Sequence, residues 1–244
     1  MVRIMLAFFL ALAATTPAAS AQSFNAQQQA EIRAVVRDYL VRNPDVLREA
    51  LDALQTRATA ERVQRAETDS RDFSIGPRNA PITIVEFFDY RCPYCMAALP
   101  WVNDVLATRR DVRFVFKEMP IYELHGNPAM EASQASIAAM PQGRYLQFHR
   151  ALMNFTGELT PARIDQLARQ SGVDVPRMRR AMADQGIITL LQDNTALATD
   201  LSGQVSTPTF LINGELVHGA NTAQLDARLR EATREARERR AAQR

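Results

Sequence analysis

Two cysteines, Cys92 and Cys95, flank Pro93 and Tyr94, and they are the only cysteines in the 244 residues. A pair at this spacing can supply part of a metal site, close a structural loop, or pass electrons by making and breaking an S–S bond. A structural bridge over so short a loop stabilises little, because loop-closure entropy grows with loop length. Redox setting separates the remaining two: a reducing cytosol favours metal, an oxidising compartment favours a disulfide. If a helix starts at Pro93, Cys92 faces unpaired backbone N–H groups and the positive end of the helix dipole. Both favour thiolate, the attacking form. Cys92 is then the exposed nucleophile, and Cys95, one turn further in and more buried, resolves the mixed disulfide.

The N-terminus bears on the compartment. Arg3 precedes an apolar run from Ile4 to Ala14, broken by Thr15, Thr16 and Pro17, with Ala19-Ser20-Ala21 behind it. This is the pattern of a secretory signal, and cleavage is expected after Ala21. The rival reading is a retained anchor, for which eleven apolar residues are short against a hydrocarbon layer of about 30 Å. An exported, periplasmic chain with no competing cysteine points to reactivity.

Six residues before Cys92 stands Glu86, an acid among Val85, Phe87 and Phe88. Burial raises a carboxyl's pKa and lets it trade protons near neutrality. Proton exchange with Cys95 is one expectation. A structural ion pair with Arg113 or Lys117 on the next strand is the other. Far along the chain, Ser206-Thr207-Pro208-Thr209-Phe210 opens a strand on proline, which normally spoils a ladder. A cis Thr207–Pro208 bond would resolve that.

The elements that must position these groups read as an α/β fold. Residues 24 to about 70 carry helical stripes (Ile32, Val35, Val36, Tyr39, Leu40; then Val46, Leu47, Ala50, Leu51, Leu54), with Asn43-Pro44 as an expected N-cap and first helical residue. Such a stalk has an apolar face and no core of its own, so it must bury that face on the main domain or, as favoured here, on copies of itself. Pro81 to Phe88 and Val112 to Phe116 read as buried strands. Helix is expected over Met96 to Leu106 and again from about Pro128 to Leu201. Thr209 to Ile212 and Glu215 to Val217 form a hairpin around Asn213-Gly214, and a final helix leads into an Arg-rich tail.

Composition narrows the partners. Hydrophobic residues at 47% and charged residues at 23% permit a packed core, and a net charge of +2 gives no reason to expect nucleic acid. His125, His149 and His218 are too scattered for a metal site. Met178 and Met182 are read as core rather than copper ligands, and the mixed-sign tail as a solvated helix.

Val85-Glu86-Phe87-Phe88 before Cys92-Pro93-Tyr94-Cys95, Pro100 within the following helix, and Thr207-Pro208 before a hairpin together resemble the thioredoxin superfamily. The 113-residue separation of Cys95 and Pro208 and its helical filling resemble the DsbA-type branch, an inserted all-helical domain within a thioredoxin fold. The resemblance divides the chain into a stalk over 22–72, a thioredoxin domain over 73–125 and 203–236, an insertion over 126–202 and a charged tail over 237–244. It implies that Cys92 is the nucleophile, Cys95 the resolving cysteine and Glu86 the buried acid. Thr207, Pro208, Pro93 and Tyr94 then meet the substrate or tune the thiolate. Strongly oxidising members carry histidine where this chain has Tyr94, so a less acidic Cys92 is implied, and threonine before Pro208 resembles the isomerases. The stalk resembles the trimerising extension of suppressor-of-copper-sensitivity C-type proteins. The expected activity is disulfide exchange with cysteine-containing secreted proteins, leaning to isomerase or reductase, with a membrane redox partner to reset the pair and no cofactor. A DsbA-like oxidase, a copper-handling or holdase protein, and a glutathione-dependent transferase are the alternatives.

Overall fold

The computed structural model describes residues 24–243, apart from the side chains of 122–127. The expected signal segment and its cleavage point lie outside the described residues. Two compact units divide after Leu54.

The first unit holds α1 (Ala26–Arg42) and the start of α2 (Pro44–Thr68). A capping box opens α1: Asn25 Oδ1 accepts from Gln28 N at 2.9 Å, and Gln28 Oε1 accepts from Asn25 N at 3.0 Å. Asn43 precedes Pro44, the first residue of α2, as expected, but it turns its side chain back to α1 rather than capping α2. Its backbone N–H and its side-chain amide both donate to the Tyr39 carbonyl, so it closes α1 instead. No residue of α1 is buried, and Ile32, Val36 and Leu47 line an open apolar groove.

The second unit is built on a five-stranded sheet of order β1-β3-β2-β4-β5, from β1 (Phe73–Ile75), β2 (Ile82–Phe88), β3 (Val112–Glu118), β4 (Thr209–Ile212) and β5 (Glu215–His218). Only β2 and β3 are parallel; their crossover is α3 (Pro93–Thr108). Period-two alternation divides the strands between two cores. Ile84, Phe88, Phe114, Phe116 and Phe210 join the larger one with α3 and with α9 (Thr222–Ala242). Val85, Phe87, Val115 and Leu211 join the smaller one, with Val63 and Ala66 of α2 and Leu197 of α8 (Gln185–Ser202). Asn213 and Gly214 both take positive φ, 53° and 87°, as the two-residue turn between β4 and β5 requires.

Between β3 and β4 lie α4 (Tyr122–Ala139), α5 (Tyr145–Met153), α6 (Pro161–Gln170), α7 (Val175–Ala181) and α8. Thr160 caps α6, its hydroxyl accepting from Arg163 N at 3.2 Å. Met178 and Met182 pack into the larger core.

Several expected boundaries move. α4 starts at Tyr122 and carries Pro128 inside it, because a proline this near the N-terminus removes only one helical hydrogen bond. A domain limit between residues 125 and 126 therefore falls within a helix. The compact unit begins at residue 55 rather than 73, since the end of α2 supplies apolar side chains to the smaller core. Residues 237–242 are no separate tail: they continue α9, where Arg228 and Arg239 pair with Glu235. Among the described residues, no helix is long and apolar enough to cross a membrane.

Candidate active site

Cys92 is the N-cap of α3, with φ −78° and ψ 116°, and Pro93 is the first helical residue. A proline there costs nothing, because that N–H would be unpaired anyway. The Tyr94 and Cys95 amides, free for the same reason, favour the charged form of the Cys92 sulfur.

Topology delivers the second half of the site. β4 runs antiparallel to β2, with Thr209 opposite Phe87. The loop before β4 must then lie beside the end of β2, where the chain turns into Cys92. Thr207–Pro208 is cis, and Pro208 sits outside the ladder, so no sheet hydrogen bond is lost. The Cys92 thiol donates to the Thr207 carbonyl at 3.2 Å, across 115 positions of sequence. Thr209 Oγ1 donates to the Ser206 carbonyl at 2.8 Å and lies 3.3 Å from His218 Nδ1, while Gly219 N donates to the Pro208 carbonyl at 2.8 Å. His218 is therefore a strut of this loop.

One expectation is corrected here. Cys92 is not exposed: the Thr207–Pro208 loop lies over it and leaves it 5% accessible, against 1% for Cys95. The order of burial holds, and Tyr94 is the group that stands in solvent, at 68%.

The two thiols are driven apart electrostatically. Cys92 is lowered from 9.0 to about 6, foremost by the hydrogen bond from Cys95, then by the Thr207 hydroxyl and the Cys95 and Tyr94 amides. Partial burial opposes this, and so does the Thr207 carbonyl, which accepts only from the protonated thiol. Cys95 is pushed well above 9.0 by burial, then by its bond to Cys92 and the charges of Cys92 and Glu86. One sulfur is ionised near neutrality and its neighbour holds a proton, the division of labour that exchange requires.

Glu86 is 2% accessible. Burial, then the charges of Glu118 and Cys92, raise it to about 8. The ion-pair expectation fails: Lys117, on the opposite face of β3, bonds Asp72 and Asn194, and Arg113 bonds Ser74. Neither base reaches Glu86, and the Glu86 charge is felt at Cys95.

Sequence reasoning missed the polar group beside it. Tyr90 and Tyr145 donate to Glu118 Oε1 at 2.8 and 2.9 Å. Ser136 Oγ and His149 Nδ1 lie 2.8 and 3.1 Å from the Tyr90 oxygen. Burial, and then Arg150, lower His149 to about 3, so it stays neutral. The available signal was that Glu118, like Glu86, is an acid in an apolar strand. Tyr145 and His149 gave none, being placed by α5 far along the chain, and Tyr90, though only two residues before Cys92, gave none either.

A family model described as thioredoxin matches residues 68–230, and one described as the copper resistance protein ScsC N-terminal domain matches residues 28–61. A linker-deletion mutant of Proteus mirabilis ScsC superposes with a TM-score of 0.65 and 30% identity, over 88% of this chain and 100% of that one. A thioredoxin-like oxidoreductase from Silicibacter pomeroyi gives 0.65 and 32%, over 70% and 97%. A stretch of 150 residues is 39% identical to a Na(+)/H(+) antiporter, NhaA 3, of Salinispora tropica; it is 61% of this chain and 22% of that protein. The chain thus spans about a fifth of the curated relatives it matches.

Proposed function

This chain belongs to the thioredoxin family, in its DsbA-type, ScsC-like form, and from that premise we propose that it is a periplasmic thiol–disulfide oxidoreductase acting on secreted proteins through Cys92 and Cys95. The observation that carries the reading is the opposed ionisation of the two sulfurs under the Thr207–Pro208 loop.

The Cys92 thiolate attacks one sulfur of a substrate disulfide. That S–S bond breaks, a mixed disulfide forms, and the other substrate sulfur leaves as thiolate. In isomerisation this thiolate attacks a second substrate disulfide, and a newly exposed substrate thiolate later displaces Cys92. In reduction, Cys95 gives its proton to Glu86 and attacks Cys92 Sγ. The substrate leaves reduced, with the Cys92–Cys95 disulfide behind it. Reversing these steps oxidises a dithiol. The redox couple is the cysteine pair itself, and a membrane protein that exchanges electrons with the pair resets it.

Isomerase or reductase chemistry is favoured over oxidation because Tyr94 adds no cation beside Cys92, and because Thr207 resembles the isomerase loop. The open apolar groove of α1 and α2 supports self-association of the stalk, which would set several sites around one substrate. Refolding a scrambled-disulfide substrate with the purified chain tests the reading. Recovery of native disulfides is expected, abolished by Cys92→Ser. Ready oxidation of a reduced substrate with no reshuffling would assign the chain to the oxidases.

The match of residues 28–61 to a copper resistance protein domain favours a second reading, copper capture by the two thiolates. Two sulfurs leave most metal sites incomplete, so affinity would depend on subunit contacts. Copper titration against the Cys92→Ser, Cys95→Ser double variant separates the two.

A further inference from the structure

Glu118 is the least explained group in the protein. It ends β3 opposite Phe88 and is 1% accessible; its Oε2 meets full hydrogen-bond geometry with no group among the described residues, although the Ser133 hydroxyl lies near enough to favour its charged form. Two phenols nevertheless converge on its other oxygen. Its register decides what it can act on. Glu86 pairs with Phe116, and Phe88 with Glu118, on parallel strands. The two acids therefore lie on one face of the sheet, two residues apart along it and one strand over. A rise of about 3.3 Å per residue and a strand spacing of about 4.8 Å put their Cα atoms about 8 Å apart. Both lie on the sheet face whose apolar residues Ile84, Phe88 and Phe116 pack in the larger core with Cys92 and Cys95.

We propose that Glu118 is a positioning residue for the exchange reaction: with Glu86 it forms a buried carboxyl pair whose members ionise one after the other, and the protonation state of Glu118 sets when Glu86 can accept the Cys95 proton. The inference rests on the exchange reading above and extends it to a residue outside the cysteine site.

The surroundings leave the pair few other charges to answer to. Glu86 senses Glu118, Cys92 and Cys95. Around Glu118 stand Tyr90 after β2 and Tyr145 and His149 on α5; both phenols are pushed well up by burial and then by Glu118 itself, and His149 is neutral. Asp89 accepts from the Arg91 and Ile121 amides. Asp72 and Lys117 neutralise each other. Burial raises both Glu86 and Glu118 to about 8, so ionising one hinders the other, and protons leave the pair in two steps that belong to both.

The test separates the two sulfur steps in the whole chain. Reduced protein is mixed with dithiobis(nitrobenzoate). Cys92 attacks, releasing one coloured thiolate; Cys95 then loses its proton, attacks Cys92 Sγ and releases the second. In the unaltered protein the rate of the second release should climb with pH in two overlapping steps. In Glu118→Gln it should climb in one, with a midpoint lower by about one pH unit, the shift expected for removing a like charge about 8 Å away. The first release should keep its profile, and Glu118→Asp should restore the broad one. A folded Glu118→Gln protein with an unchanged second midpoint overturns the role of Glu118 and leaves exchange intact. If Gln prevents folding, Tyr145→Phe decides: weaker support for the Glu118 anion should lower the midpoint by about half a unit, and no change overturns the proposal. Absence of both releases in the unaltered protein would instead remove the exchange reading.

Discussion

Replacing Cys95 with alanine should change the ionisation of Cys92 more than any other change that leaves the fold in place. The Cys95 thiol is the foremost group holding the Cys92 anion, ahead of the Thr207 hydroxyl and the two amides. A hydrogen bond to a charged acceptor contributes about 1.5–3 kcal/mol, and a thiol donor belongs at or below the bottom of that range. Since one pKa unit corresponds to about 1.4 kcal/mol, Cys92 should move up by about one unit, from about 6 toward about 7. At pH 6 the thiolate fraction would fall from about one half to about one tenth. The more basic thiolate is also intrinsically the better nucleophile, by about threefold per unit, so the midpoint and not the plateau rate is the quantity to read. Iodoacetamide alkylation followed from pH 4 to 10 (roughly the span that brackets both states) gives it directly. Cys95 does not interfere in the unaltered protein, because burial keeps it protonated. A midpoint that stays at its original value in Cys95→Ala would refute Cys95 as the leading donor. A midpoint near that of an ordinary thiol in both proteins would refute the helix N-terminus account of the site.

Four further outcomes follow from the same geometry. The lowered Cys92 stabilises the reduced form: that contribution is complete above about pH 9, falls away as pH drops toward about 6, and amounts to on the order of 1 kcal/mol at pH 7 after allowance for screening at a partly covered sulfur. Denaturation of the reduced minus the oxidised protein should show it rising across that window and turning over above it, where the raised Cys95 opposes. Glu86→Gln should be the more stable protein at pH 8 by a few kcal/mol, roughly what a carboxyl raised from 4.5 to about 8 loses between those values; its Cys95 step should slow by about tenfold or more at pH 7, and a variant both destabilised and fully active would contradict the assignment. Lys117→Met leaves Asp72 buried without its partner and should cost about 3–5 kcal/mol in denaturant unfolding; a loss under about 1 kcal/mol would mean the pair is not closed to water. Removing residues 22–54 should reduce the mass in solution to one chain and lower isomerisation while leaving alkylation of Cys92 unchanged; an unaltered mass removes the self-association reading.

The strand–cysteine–helix unit was legible because its determinants are local: apolar β-branched residues, a proline one place after Cys92, and two sulfurs one helical turn apart. The same locality made the Asn213-Gly214 hairpin readable. Thr207 and Pro208 could be singled out by type, but only the antiparallel pairing of β4 with β2 lays them over Cys92, and that contact removes the exposure a helix N-terminus suggests when considered alone. Glu86 was visible as an acid among apolar neighbours. Its charged surroundings were not, because strand alternation turns Lys117 away to Asp72 and sets Glu118 on the same face as Glu86, while Tyr90, after β2, meets Tyr145 and His149 of α5 around Glu118. Ionisation at a buried site is set by what surrounds a group in three dimensions, and those surroundings arise from packing between residues that spacing along the chain does not connect.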